Sequence, residues 1–262
     1  MNWSTESYSR RCESRDVVEK LKPRAVIFDL GSTLIEYEVI SWEDLSQKCA
    51  EASRVFLHKR GFPVPDEGAF HEAFEAAKEP FRAEASRTLV EWTVPQVTRK
   101  LFERLAIEEI DGLVDALFKA YYQPVDEHLY VYDDTIPTLR ALKKAIPTVG
   151  LISNTVFPEA AHLGELQRYG IEPYLDFTIF SSTFGYRKPH PEIFAKAANL
   201  AGAAPKECVY IGDRYMEDIE GPAGLGMPAI LRQKQDRVYP EEMPLAIRRI
   251  STLAELSEHI DF

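Results

Sequence analysis

The chain has 262 residues, enough for one or two domains at roughly 150 residues each. Hydrophobic residues make up 45% and charged residues 28%, an ordinary globular composition without any apolar run long enough for a membrane helix. Thirty-one basic against 42 acidic residues give a net charge of −11, and no basic patch offsets it, which disfavours nucleic acid and anionic lipid as partners. Cys12, Cys49 and Cys208 are too scattered for a disulfide scaffold or a zinc knuckle. The polar start carries no secretory signal, so a cytoplasmic protein is expected.

Residues 1–22 read as a polar extension in which Val17, Val18 and Leu21 offer at most a short docking helix. Ala25-Val26-Ile27-Phe28 is then an apolar run without alternation, the pattern of a strand buried on both faces, and it ends in Asp29. Residues 41–124 differ: apolar positions recur at helical spacing through Trp42, Leu45 and Cys49, through Phe70, Phe74 and Phe81, and through Val97, Leu101 and Leu105. Ile110, Leu113, Leu117 and Tyr121 continue it, so four helices and no strand are expected there. Beyond Pro124, strands and helices alternate. Strands are expected at Thr148 to Ile152, Phe177 to Ser181, Cys208 to Ile211 and Pro228 to Leu231. Helices are expected at Ile136 to Ala145, Pro158 to Tyr169, Pro191 to Ala201, Met216 to Leu225 and Leu253 to His259. Repeated strand–helix units predict an α/β fold: a Rossmann-like parallel sheet with helices on both faces, formed by residues 23–40 and 125–262, with a helical insert after the first strand.

Ligands of an open parallel sheet bind beyond the carboxyl ends of its strands. Asp29, Ser153-Asn154 and Asp213 all fall at such ends, and Arg187-Lys188-Pro189 lies in a loop before a helix. Singly these residues read as caps, turns or solvated charges. Together they place several carboxylates, Asp218 among them, at one sheet edge with Lys188 as the single nearby cation, and like charges so placed call for a counter-ion. Carboxylate oxygens without His or Cys favour Mg²⁺ over Zn²⁺.

The same residues resemble the haloacid dehalogenase-like hydrolases. Val26-Ile27-Phe28-Asp29-Leu30-Gly31-Ser32-Thr33-Leu34 is similar to that family's first motif, Leu151-Ile152-Ser153-Asn154 to the second, Tyr186-Arg187-Lys188-Pro189-His190-Pro191 to the third, and Ile211-Gly212-Asp213 with Asp218 to the fourth. The resemblance implies that Asp29 is a nucleophile, that Ser153 and Asn154 bind a phosphoryl group, and that Lys188 steadies both. It implies Mg²⁺ held by Asp29, Asp213, Asp218 and the Gly31 carbonyl, and a mobile helical cap of the C1 type formed by the insert. The expected reaction is hydrolysis of a small phosphorylated metabolite through an aspartyl-phosphate. One position departs: phosphatases of the family carry a second aspartate two residues after the nucleophile, and here that residue is Gly31. The departure leaves two alternatives open, a 2-haloacid dehalogenase and a degenerate member that binds a phosphorylated ligand. In the cap, Arg82, Arg87 and Trp92 could contact substrate or simply form a solvated surface with one aromatic anchor. The six histidines show no metal-ligand spacing, and most are expected at the surface.

Overall fold

Every residue of β1 (Ala25–Phe28) is buried. In the computed structural model, which describes residues 19–235, 237–244 and 247–262, this strand lies inside a six-stranded sheet. It pairs in parallel with β4 (Thr148–Ser153) on one side and β6 (Cys208–Gly212) on the other, in a register that sets Phe28 beside both Leu151 and Ile211. The order is β5-β4-β1-β6-β7-β8, all parallel, with β5 (Phe177–Phe180), β7 (Ala229–Arg232) and β8 (Arg248–Ile250) outside. Alternation along β1 divides the core: Val26 and Phe28 join the cluster of Leu139 and Leu142, whereas Ala25 and Ile27 join that of Ile193, Phe194 and Ala197. Those partners sit on helices from opposite faces of the sheet, which makes the fold a three-layered α/β arrangement.

The segment between β2 (Ile35–Glu36) and β3 (Tyr130–Val131) holds four helices: α1 (Trp42–Lys59), α2 (Glu67–Thr88), α3 (Val94–Leu105) and α4 (Leu113–Glu127). Ser41 caps α1 by accepting from the Asp44 N–H, and Asp66 caps α2 by accepting from the Ala69 N–H. α4 runs through Pro124 and stops at Glu127, since a proline in the last turn removes a single backbone bond. Antiparallel pairing of β2 with β3 closes the base of the insert. A second anchor lies at the turn after α2, where the Glu91 N–H donates to Gly185 O at 2.8 Å and the Arg187 N–H to Leu89 O at 2.9 Å.

Back in the core, α5 (Thr135–Ala145) precedes β4, α6 (Glu159–Arg168) follows it, α7 (Ser181–Phe184) follows β5, and α8 (Pro191–Leu200) precedes β6. Several details differ from the sequence expectation. The single helix expected from Met216 is a π-helical turn, Tyr215–Glu220, followed by a short helical turn, Gly221–Ala223. Pro222 lacks the N–H that a continuous helix would use, and wide turns of this kind cluster at functional sites. The edge strand β8 was not expected, because Arg248 and Arg249 give it no apolar pattern. Val17 and Val18 lie outside the described residues. Leu21 forms a bridge with Ile260, its N–H donating to His259 O at 2.8 Å. No described helix is long and apolar enough to cross a membrane.

Candidate active site

The level register of β4, β1 and β6 brings Ser153, Asp29 and Asp213 to one edge. The Asp29 N–H donates to Ile211 O at 2.8 Å, extending the β1–β6 ladder by one bond and fixing the Asp29 backbone. Lys188 enters from the loop before α8. Its Nζ donates to Asp29 Oδ1 at 2.6 Å, to Asp218 Oδ1 at 2.6 Å and to the Tyr210 hydroxyl at 2.8 Å. Asn154 holds the Lys188 backbone from both sides: its Nδ2 donates to Lys188 O at 2.9 Å, and its Oδ1 accepts from the Lys188 N–H at 2.7 Å. Asp218 is fixed in turn by the Arg214 N–H, which donates to Oδ2 at 2.8 Å.

Asp29, Asp213, Asp218 and Lys188 are all buried. Burial raises the Asp29 carboxyl to about 6 despite the opposing Lys188 charge. Asp213 is held well above the usual carboxylate range by burial first, then by Asp29 and Asp218. Burial acts to lower Lys188, but Asp218 and Asp29 overcome it and hold the ammonium well above its ordinary value. These directions describe an edge rich in negative charge.

One carboxylate oxygen from each of Asp29, Asp213 and Asp218 lies within 4.8 Å of the others. Neither Asp213 oxygen receives a hydrogen bond, although both are buried. Arg237 Nε stands 2.8 Å from Asp213 Oδ2, outside the hydrogen-bonding direction. Three hard oxygens converging on one point, one carboxylate without a donor, fit a divalent cation such as Mg²⁺.

A cavity of about 220 Å³ reaches this cluster at Asp29. Asp29, Gly31, Ser153, Asn154 and Lys188 line its floor, with Arg187 and Arg214 beside them. Tyr37, Trp42, Thr155, Phe157 and His162 form the walls. The residues singled out in the cap stay away from it. Arg82 pairs with Glu75 and Arg87 with Glu84, while Trp92 is buried against Phe81.

The sequence reading missed a buried polar chain behind one wall. The Tyr37 hydroxyl donates to Glu165 Oε2 at 2.5 Å, and the Tyr122 hydroxyl donates to Oε1 of the same carboxylate. His162 Nδ1 lies 2.9 Å from Glu165 Oε2, and its Nε2 lies 2.7 Å from Thr155 Oγ1. His162 is therefore no surface residue: it is 3% exposed, with Phe180 stacked on its ring. The available signal was local, a His and a Glu three apart on the same face of α6.

The model of the haloacid dehalogenase-like hydrolases matches residues 23–226, a span that contains Asp29, Ser153, Lys188, Asp213 and Asp218. The chain belongs to this family. Among similar family members, a glyceraldehyde 3-phosphate phosphatase of Methanothermobacter thermautotrophicus is 27% identical over 239 residues, covering 90% of this chain and 98% of its own. One of the same name from Methanopyrus kandleri is 32% identical over 130 residues, and there the match spans only 50% of this chain and 55% of the relative. A solved 2-haloacid dehalogenase of Pseudomonas syringae superposes with a TM-score of 0.66 at 23% identity, covering 91% of this chain and 97% of the other, a likeness of fold.

Proposed function

We propose that this hydrolase is a Mg²⁺-dependent phosphomonoesterase acting on a small phosphorylated metabolite, with Asp29 as nucleophile. The observation that carries the reading is the convergence of Asp29, Asp213 and Asp218 on one point beside Lys188, with Asp29 and Lys188 themselves lining a cavity of about 220 Å³. Relatives named glyceraldehyde 3-phosphate phosphatase agree with it in substrate class.

In this scheme an Asp29 carboxylate oxygen attacks phosphorus, the bond from phosphorus to the leaving-group oxygen breaks, and an aspartyl-phosphate forms. Water then attacks phosphorus and returns Asp29 as a free carboxylate. The Ser153 hydroxyl donates to a phosphoryl oxygen. Lys188 brings a full positive charge to Asp29 and to the transferring group, held in register by the Asn154 clamp on its backbone. Asp29, Asp213, Asp218 and the Gly31 carbonyl would hold Mg²⁺, which would supply further positive charge to the transferring group. Such preorganised charge is the main source of catalysis in phosphoryl transfer.

The dehalogenase reading needs no cation and leaves the convergence of Asp213 with Asp29 and Asp218 without a role. The test is a panel of small phosphate monoesters and a 2-halo acid, assayed with Mg²⁺ and with a chelator, for wild type and Asp29→Asn. Mg²⁺-dependent phosphate release lost in Asp29→Asn is the expected result. Chelator-insensitive halide release would replace this reading with the dehalogenase, and ligand binding without turnover would replace it with a binding protein.

A further inference from the structure

Phosphomonoester hydrolysis requires a proton for the leaving oxygen and a base for the attacking water, and Gly31 offers no side chain for either. The need for such groups in this protein rests on its proposed phosphatase activity. A second polar system lies in the wall of the same cavity. Thr155 and His162 both line it, as do Asp29 and Gly31. Thr155 Oγ1 is 2.7 Å from His162 Nε2, and His162 Nδ1 is 2.9 Å from Glu165 Oε2. All three residues are buried.

Donor and acceptor roles within this chain are fixed by its neighbours. Glu165 accepts from the Tyr37 and Tyr122 hydroxyls, so it is the acceptor toward His162 as well, and Nδ1 carries a hydrogen. The Phe157 N–H donates to Thr155 Oγ1 at 3.0 Å, which occupies one of its lone pairs. With a neutral imidazole, the Thr155 hydroxyl donates to Nε2. With an imidazolium, Nε2–H fills the second lone pair of Oγ1, and the Thr155 hydroxyl hydrogen is free to donate to a group bound in the cavity that Thr155 lines. The arrangement of hydroxyl, imidazole and carboxylate is that of a proton-transfer triad.

We propose that Thr155, His162 and Glu165 form the proton relay that replaces the acid–base side chain missing at Gly31. As the aspartyl-phosphate forms, the leaving oxygen takes the Thr155 hydroxyl proton, Oγ1 takes the Nε2 proton, and the imidazolium becomes neutral with Nδ1–H still held by Glu165. As water attacks phosphorus, it gives a proton to Thr155 Oγ1, whose own proton passes to Nε2 and restores the imidazolium. Thr155 is the catalytic residue of the relay. His162 and Glu165 act through it.

A purely architectural role would have His162 tie α6 to the loop after β4, and its loss would then slow every substrate alike. The experiment compares kcat/KM for an alkyl phosphate (glycerol phosphate) and an aryl phosphate (p-nitrophenyl phosphate) at saturating Mg²⁺. Thr155→Val is expected to lower the alkyl value by about 10²–10⁴-fold, the usual contribution of a positioned acid or base, and the aryl value by less than about tenfold. Thr155→Ser keeps the hydroxyl and is expected to restore the alkyl value. Equal losses on both substrates, or no loss on either, would overturn the relay alone. No phosphate release from either substrate by wild type would overturn the phosphatase reading and the relay with it, and release that survives Asp29→Asn would remove Asp29 as the nucleophile that both assume. Should Thr155→Val not fold, Glu165→Gln carries the same comparison with the same outcomes.

Discussion

The Asp218 side chain occupies the space that any side chain on Gly212 would need: a Cβ at Gly212 would stand 2.4 Å from Asp218 Cγ. The glycine that ends β6 therefore permits the carboxylate to fold back against the strand and meet Lys188. Gly212→Ala is expected to push Asp218 away from Lys188, weaken Mg²⁺ binding and reduce turnover by at least about tenfold, and overpacking of this kind costs about 1–3 kcal/mol. Titration calorimetry with Mg²⁺, alongside urea denaturation, measures both effects. Wild-type Mg²⁺ affinity in a folded Gly212→Ala protein would show that this packing does not hold the site.

Lys188 sits 2.6 Å from both Asp29 and Asp218 and is itself 3% exposed. Lys188→Met leaves those carboxylates buried without their cation, and removing one partner of a buried pair costs about 3–5 kcal/mol. The expected result is a large loss of stability in metal-free buffer that Mg²⁺ partly restores. Denaturation curves with and without Mg²⁺ test it, and unchanged stability in metal-free buffer would contradict the charge balance described here.

A Cβ at Gly31 would meet only the Tyr37 ring, at 3.5 Å, an ordinary contact. Ser32 already adopts the left-handed conformation, φ 57°, that a glycine would favour, so the loop can present a side chain at position 31. Gly31→Asp is expected to raise kcat/KM for alkyl phosphates only modestly in the wild type, because proton transfer is already served. In the Thr155→Val background the gain should be much larger, about 10²-fold or more. Equal gains in both backgrounds would mean that the two groups do not share one task.

In the cap, burial acts to raise the Glu75 carboxyl, but the Lys78 ammonium at 2.6 Å, with Ser46 and Arg82, lowers it to about 2. A carboxyl lowered from 4.5 in the unfolded chain contributes stability that is full above pH 4.5 and lost as pH falls toward 2. The stability difference between wild type and Glu75→Gln should accordingly be largest near neutrality and shrink over that window. Urea midpoints measured at several pH values check it, and a constant difference would contradict the assigned pair.

The core and the charged floor were legible in the sequence because each was written in adjacent residues. An apolar run ending in Asp29 marks a strand and its charged carboxyl end together, and Gly212-Asp213 repeats the sign. The β2–β3 pair was not legible, since two-residue strands such as Ile35–Glu36 are too short to show a period. Nor was the role of Asn154, whose side chain bonds to the backbone of Lys188 34 residues away. Thr155, His162 and Glu165 escaped for a related reason: their meaning depends on Tyr37, which precedes the helical insert, and on Tyr122, which lies on α4 inside it. Arg82 and Arg87 were visible as charges, and their partners Glu75 and Glu84 show that they serve the α2 surface.

The most direct test of Asp29 as the nucleophile is acid-quench trapping of the phosphoryl-enzyme. Wild-type protein mixed with a ³²P-labelled phosphate monoester and Mg²⁺, quenched in acid and digested, should yield a labelled, base-labile peptide containing Asp29. Asp29→Asn and chelator-treated protein should yield none. Multiple-turnover phosphate release by wild type with no label on that peptide at any quench time, or label on a different peptide, would contradict the assignment.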